Sequence, residues 1–78
     1  MAAKVFVLER QQDISGVSGT GVVADGVEFW DEESGLTVNV VLCWRMTAAG
    51  VPGLGVYRNM ADVEKIHGHN GATKAVYR

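Results

Sequence analysis

A single cysteine, Cys43, rules out a disulfide within the chain, and one unpaired thiol fits a reducing compartment. Long apolar runs are missing too. The opening stretch MAAKVFVLER holds an apolar run at residues 5–8 that stops at Glu9 and Arg10. That is too short for the hydrophobic region of a signal peptide or for a membrane span. These absences predict a cytoplasmic protein. An excess of positive charge is also lacking: the net charge is −2, whereas domains that coat nucleic acid are strongly basic. No repeat, low-complexity segment or linker interrupts the 78 residues, so residues 1–78 are read as a single domain. A domain of this size buries only about 60% of its unfolded surface, and such chains lean on disulfides, a structural metal or oligomerisation.

The charge that is present is unevenly spread. Residues 1–35 set Lys4 and Arg10 against Glu9, Asp13, Asp25, Glu28, Asp31, Glu32 and Glu33, whereas residues 36–78 set Arg45, Arg58, Lys65, Lys74 and Arg78 against Asp62 and Glu64. Such polarity can guide self-association or a charged partner, unless folding interleaves the two parts.

Residues 5–8, VFVL, are β-branched and aromatic and predict a strand with both faces partly buried. The following QQDISGVSGTG carries three glycines and two serines and reads as a loop. In VVADGVEFW, Asp25-Gly26 is either a tight hairpin turn between two short strands or a glycine bulge in one bent strand. DEESG then turns the chain, with Gly35 available for a positive φ. Residues 36–45 give the clearest pattern. Leu36, Val38, Val40, Leu42 and Trp44 fall on one face and Thr37, Asn39, Val41, Cys43 and Arg45 on the other, which predicts a strand with one buried face. MTAAGVPGLG is a loop, and Val56 and Tyr57 read as a short strand. Asn59 is a helix N-cap with Asp62 in the capping-box position. Met60, Val63 and His67 lie on one helical face with Ile66 beside them, and Gly68 is placed for a left-handed helix stop. The helix spans roughly 60–67, and ATKAVYR closes the chain as a strand. The fold class is therefore mainly β (α+β): a small, strongly bent antiparallel sheet or partial barrel of about five or six short strands, with one short helix before the last strand.

The block VSGTGVVADGVEFWDEESG, the strand ending Cys43-Trp44-Arg45 and the block VYRNMADVEKIHGHNGATKAVYR together resemble a family of small uncharacterised proteins of bacteria and their bacteriophages. That family carries a VSGTG-VA-GV-F-DG block, a strand ending RW and a C-terminal DV--IHGH-G-T block. Gly53-Leu54-Gly55 stands where the family has a Ser-Thr pair, and Asn59 where it has Ser. The resemblance implies a viral or bacterial protein acting in the bacterial cell or, if phage-encoded, in the host cytoplasm. It implies no particular activity.

IHGHNG, residues 66–71, looks most like chemistry. His67 and His69, with Cys43, could offer ligands to a metal, but a structural zinc needs four and a catalytic one three plus water. The preferred reading is structural: His67 completes the apolar helix face, Gly68 ends the helix, and His69 and Asn70 hold the turn. No metal, cofactor or catalytic residue is expected. Ser18, Gly19 and Thr20 resemble a phosphate cradle, yet this loop runs into a strand rather than a helix and lacks the cradle's lysine. Tight turns explain it, with a backbone nest for a small anion as the remaining alternative. Trp44 is read as core. Trp30 sits beside acidic Asp31, Glu32 and Glu33 and, with Tyr57 and Arg58, is a candidate for interaction, because exposed aromatics mark interfaces. Acidic neighbours repel phosphates.

The expectation is a non-enzymatic binding or regulatory module, a phage accessory protein acting on an unknown protein partner or on itself as a homodimer, away from membranes. A nucleic-acid-binding small β-barrel, using Arg45, Arg58, Lys65, Lys74 and Arg78 as one basic face, is the alternative. A metal- or anion-dependent enzyme built on the His67/His69 turn comes third.

Overall fold

A computed structural model of the chain describes residues 1–11, 20–47, 49–68 and 71–78. Among them the chain forms β1 (Ala2–Arg10), β2 (Gly21–Trp30), β3 (Thr37–Trp44), β4 (Gly53–Tyr57), α1 (Met60–His67) and β5 (Thr73–Tyr77). The strands make one antiparallel sheet in the order β4-β3-β2-β1-β5. β4 and β5 are its two edges, so the mainly β fold with one short helix before the last strand is as expected, and the sheet is not closed into a barrel. The chain leaves one edge through α1 and returns at the other. That path carries the helix across one face of the sheet and leaves the opposite face to itself.

The register shows what each face holds. On the helix side, one row runs Tyr77–Phe6–Gly26–Leu42–Gly55 and the next Ala75–Leu8–Ala24–Trp44–Gly53. Phe6, Leu8, Val23, Ala24, Val40, Leu42 and Val63 form the buried core, with Trp44, Tyr57, Met60 and Ala75 packed at its margin. Burying a large apolar side chain stabilises by about 1.5–3 kcal/mol, so this one layer carries most of the driving force. On the other side, the rows run Val76–Val7–Asp25–Cys43–Leu54 and Val5–Val27–Val41–Val56.

Asp25-Gly26 is neither a hairpin turn nor a bulge. Both residues lie inside β2, paired to Val7 and Phe6 on one side and to Cys43 and Leu42 on the other. The physical reason is across the ladder: a Cβ at Gly26 would collide with the ring of Phe6. Glycine is required there to seat an aromatic, not to turn the chain. The register irregularities fall elsewhere, between Leu8 and Glu9, where Val23 is the extra residue, and between Phe29 and Trp30, where Val38 is. The second explains why the ten-residue alternation fails at its start. Val40 and Leu42 are buried as expected and Trp44 half-buried, but Val38 is exposed and Leu36, outside the strand, is 68% exposed. The real turn between β2 and β3 is DEESG. There Glu33 N–H and Ser34 Oγ donate to the Asp31 carboxylate at 3.1 Å each, and Gly35 takes a φ of 72°.

α1 has the expected bounds and cap: Asp62 N–H donates to Asn59 Oδ1 at 2.9 Å. Two details differ. The Asp62 carboxylate turns to Arg58, with Nε–Oδ2 at 2.7 Å, because a guanidinium one turn back outcompetes a backbone amide for it. Gly68 is right-handed, at φ −69°, and its N–H donates to the Glu64 carbonyl at 2.8 Å, so it extends the helical bonding. The positive φ that ends the segment, 92°, belongs to Gly71. β4 also starts earlier than Val56, at Gly53.

Candidate functional site

The helix end does gather polar groups. His67 faces the sheet, half-buried, where its ring lies 4.6 Å from that of Trp44 and edge-on to that of Tyr57 at 5.5 Å. Tyr57 Oη and His67 Nε2 share a hydrogen bond of 2.7 Å. Gly55 makes this reach available. A Cβ there would stand 2.6 Å from the Tyr57 hydroxyl, so the tyrosine ring lies back along its own strand over the bare glycine. The Gly53-Leu54-Gly55 departure thus has a local structural use. Cys43 is exposed on the other face of the sheet, so the fold does not bring its thiol to His67. Among the described residues, no group of three His, Cys, Asp or Glu side chains is placed to hold a metal ion. His69, Asn70, Ser18 and Gly19 lie outside the described residues, and Thr20 is exposed at the entry to β2.

Sequence reasoning passed over Arg10. It follows Phe6 and Leu8 on the period-two core face and is only 3% exposed. Its Nε donates to Thr73 Oγ1, also buried, at 2.9 Å, and its guanidinium stands 6.0 Å from the Trp44 ring centre. Its Nη1 is buried without a hydrogen-bond partner. The available signal was a charged residue continuing the inward phase of an apolar strand.

Trp30 is half-buried, with Lys4 Nζ 4.8 Å from its ring centre and its own Nε1 buried without a partner. Asp31 is occupied in the turn, while Glu32 and Glu33 are exposed beside it. Tyr57 belongs to the His67 cluster and the exposed Arg58 to Asp62.

The open face of the sheet is a further candidate surface. Val5, Leu54, Val56 and Val76 are exposed on it, Val27 and Val41 half-buried and Val7 buried at its centre, and no described element packs there. Leu54 is 75% and Val56 67% exposed, at the β4 edge. Among the described residues the face carries an ion pair, in which Arg45 Nε and Nη2 each donate to the Asp25 carboxylate at 3.0 Å. Arg45 holds the Asp25 carboxyl below the usual range, and Arg58 does the same for Asp62. The first pair joins the acidic and basic parts of the chain, so folding partly erases their separation. The five cations do not all gather on one face: Arg45 and, by register, Lys74 lie on the open side and Arg78 acts on Asp25 there, whereas Arg58 and Lys65 flank or belong to the helix on the other.

A family model for the Acb5 phage protein matches residues 3–78. The chain belongs to that family. No curated protein and no solved structure matches it. The match covers the helix and all five strands apart from Ala2, so both the His67 cluster and the open face lie within the family's extent. No helix among the described residues is long and apolar enough to cross a membrane.

Proposed function

We propose that this phage protein is a non-enzymatic accessory module that works through protein contacts, as a homodimer closed by the open faces of two sheets. The uncovered apolar face carries this reading. Sheets bury their apolar faces against another layer, and here the helix supplies a layer on one side only. Five strands about 4.8 Å apart, over some six residues of about 3.3 Å each, give roughly 400 Å² of flat area. The relief of the side chains and the rim add to it, against about 600–800 Å² of accessible surface per partner in a stable interface. A second copy fits because the middle of the face is apolar, and its charges, Asp25 with Arg45 and Glu9 opposite Lys74, are of both signs within each chain. Two such faces pack as a sandwich about 10 Å thick. The split of the five cations favours a protein occupant over nucleic acid, whose phosphates call for one continuous basic surface. Trp30 and the Asp31–Glu33 turn lie beyond this interface and remain available for a different protein partner.

Sedimentation tests the reading. The wild type is expected to run as a dimer at micromolar concentration and Val56→Glu as a folded monomer, since Val56 is mostly exposed in the single chain. A wild-type monomer at high micromolar concentration overturns it.

A further inference from the structure

We propose that Arg10 anchors an oxyanion-binding site where β1 meets β5 beneath the helix end, a site separate from the dimer face. An arginine cannot shed its charge when buried, unlike lysine or a carboxyl. A buried cation therefore needs an anion or a full set of acceptors. Among the described residues, Arg10 has neither. No carboxylate pairs with it, Thr73 takes only Nε, and Nη1 is buried with its hydrogen-bonding capacity unused. Its remaining N–H groups suit two oxygens of one phosphate or carboxylate group.

The surroundings are those of a prepared site. Thr73 Oγ1 accepts from Arg10, which leaves its own hydroxyl proton to donate to the same anion. The Trp44 ring, itself packed on His67, flanks the guanidinium and restricts its orientation. The ladder partner of Arg10 on β2 is Gly21, which sets no side chain against the arginine from that strand. β5 closes the other side, with Thr73 fixed through its N–H to the Gly68 carbonyl at 3.1 Å. Cation, hydroxyl and aromatic wall thus come from three strands. None belongs to the open face.

The test titrates the whole chain with inorganic phosphate and, separately, with acetate, against sodium chloride at matched ionic strength. Melting temperature and the Arg10 side-chain N–H resonances are the two readouts. A saturable rise in melting temperature and a saturable movement of the Arg10 resonances are expected with at least one of the two anions. The anion that binds more tightly tells whether a phosphate or a carboxylate is the natural head group. Arg10→Lys is expected to weaken that binding at least tenfold, because an ammonium cannot present the paired N–H groups. If Arg10→Lys does not fold, the wild-type resonances decide alone. No change beyond that with chloride for either anion, or unaltered binding in a folded Arg10→Lys, overturns the proposal.

Discussion

At Gly26 the ring of Phe6 occupies the place a side chain would fill, and this one contact sets the geometry of the middle of the sheet. Gly26→Ala is expected to cost about 1–3 kcal/mol, as overpacking does in a close-fitting core, and urea denaturation will measure it. Phe6→Leu in the same chain should recover part of the loss, so the two substitutions will not add. Phe6 also packs on Tyr77, with ring centres 5.5 Å apart, and the Tyr77 hydroxyl donates to Glu28 Oε1 at 2.8 Å. Partial burial and then that carboxylate push the Tyr77 phenol up to about 12. A phenol in the unfolded chain titrates near 10. The native state therefore holds a proton that the unfolded state releases, and stability is intact below about pH 10 and falls as pH rises from about 10 to about 12. Tyr77→Phe should flatten that alkaline decline, read as the urea midpoint followed from about pH 9 to about pH 11. Neither role was legible in the sequence. Asp25-Gly26 carries the local signature of a turn, and the ring that explains the glycine lies twenty residues away in the chain. Arg10 was legible only as the end of an apolar run, since its burial depends on Thr73 from the last strand.

At the scale of elements, α1 was legible to the residue because its determinants are local: a capping side chain, a 3.6-residue apolar face and basic residues in its last turn. Asn59→Ala should cost about 1 kcal/mol and Asn59→Ser much less, since serine restores the acceptor for the Asp62 N–H; thermal denaturation will separate them. β3 was legible in its second half only. Alternation assumes an unbroken pairing, and the extra residue at Val38 shifts the phase before Val40. Bulges of this kind are set by the partner strand, which a period-two count along one strand cannot register. Whether the two short arms of β2 form one strand was left open by the sequence; the structure joins them into one ten-residue strand, with its irregularities away from Gly26. The pairing of Tyr57 with His67 likewise needed the helix to be laid over the sheet.

For the whole molecule, the sequence did mark the two-sidedness of the sheet: residues 5–8 are apolar at every position, and the structure sends Phe6 and Leu8 to the helix and Val5 and Val7 to the open face. What it left unmarked is that one helix serves only one side. Eight helical residues span about 12 Å, short of the roughly 19 Å between the two edge strands. The open face therefore bears on solubility as well as on function. A charge at Val56 should raise the solubility of the isolated chain while abolishing the dimer. The pairing of β1 with β5 carries a further consequence, for the order of events on the ribosome. β1, β2 and β3 are made in succession and can pair as neighbours, but β1 keeps a bare edge until β5 has been synthesised and α1 has crossed the sheet. Throughout that interval the nascent chain holds Arg10 without Thr73 and Phe6 without Tyr77. A chaperone that caught the growing polypeptide would find its grip there, and would lose it when the last strand docked.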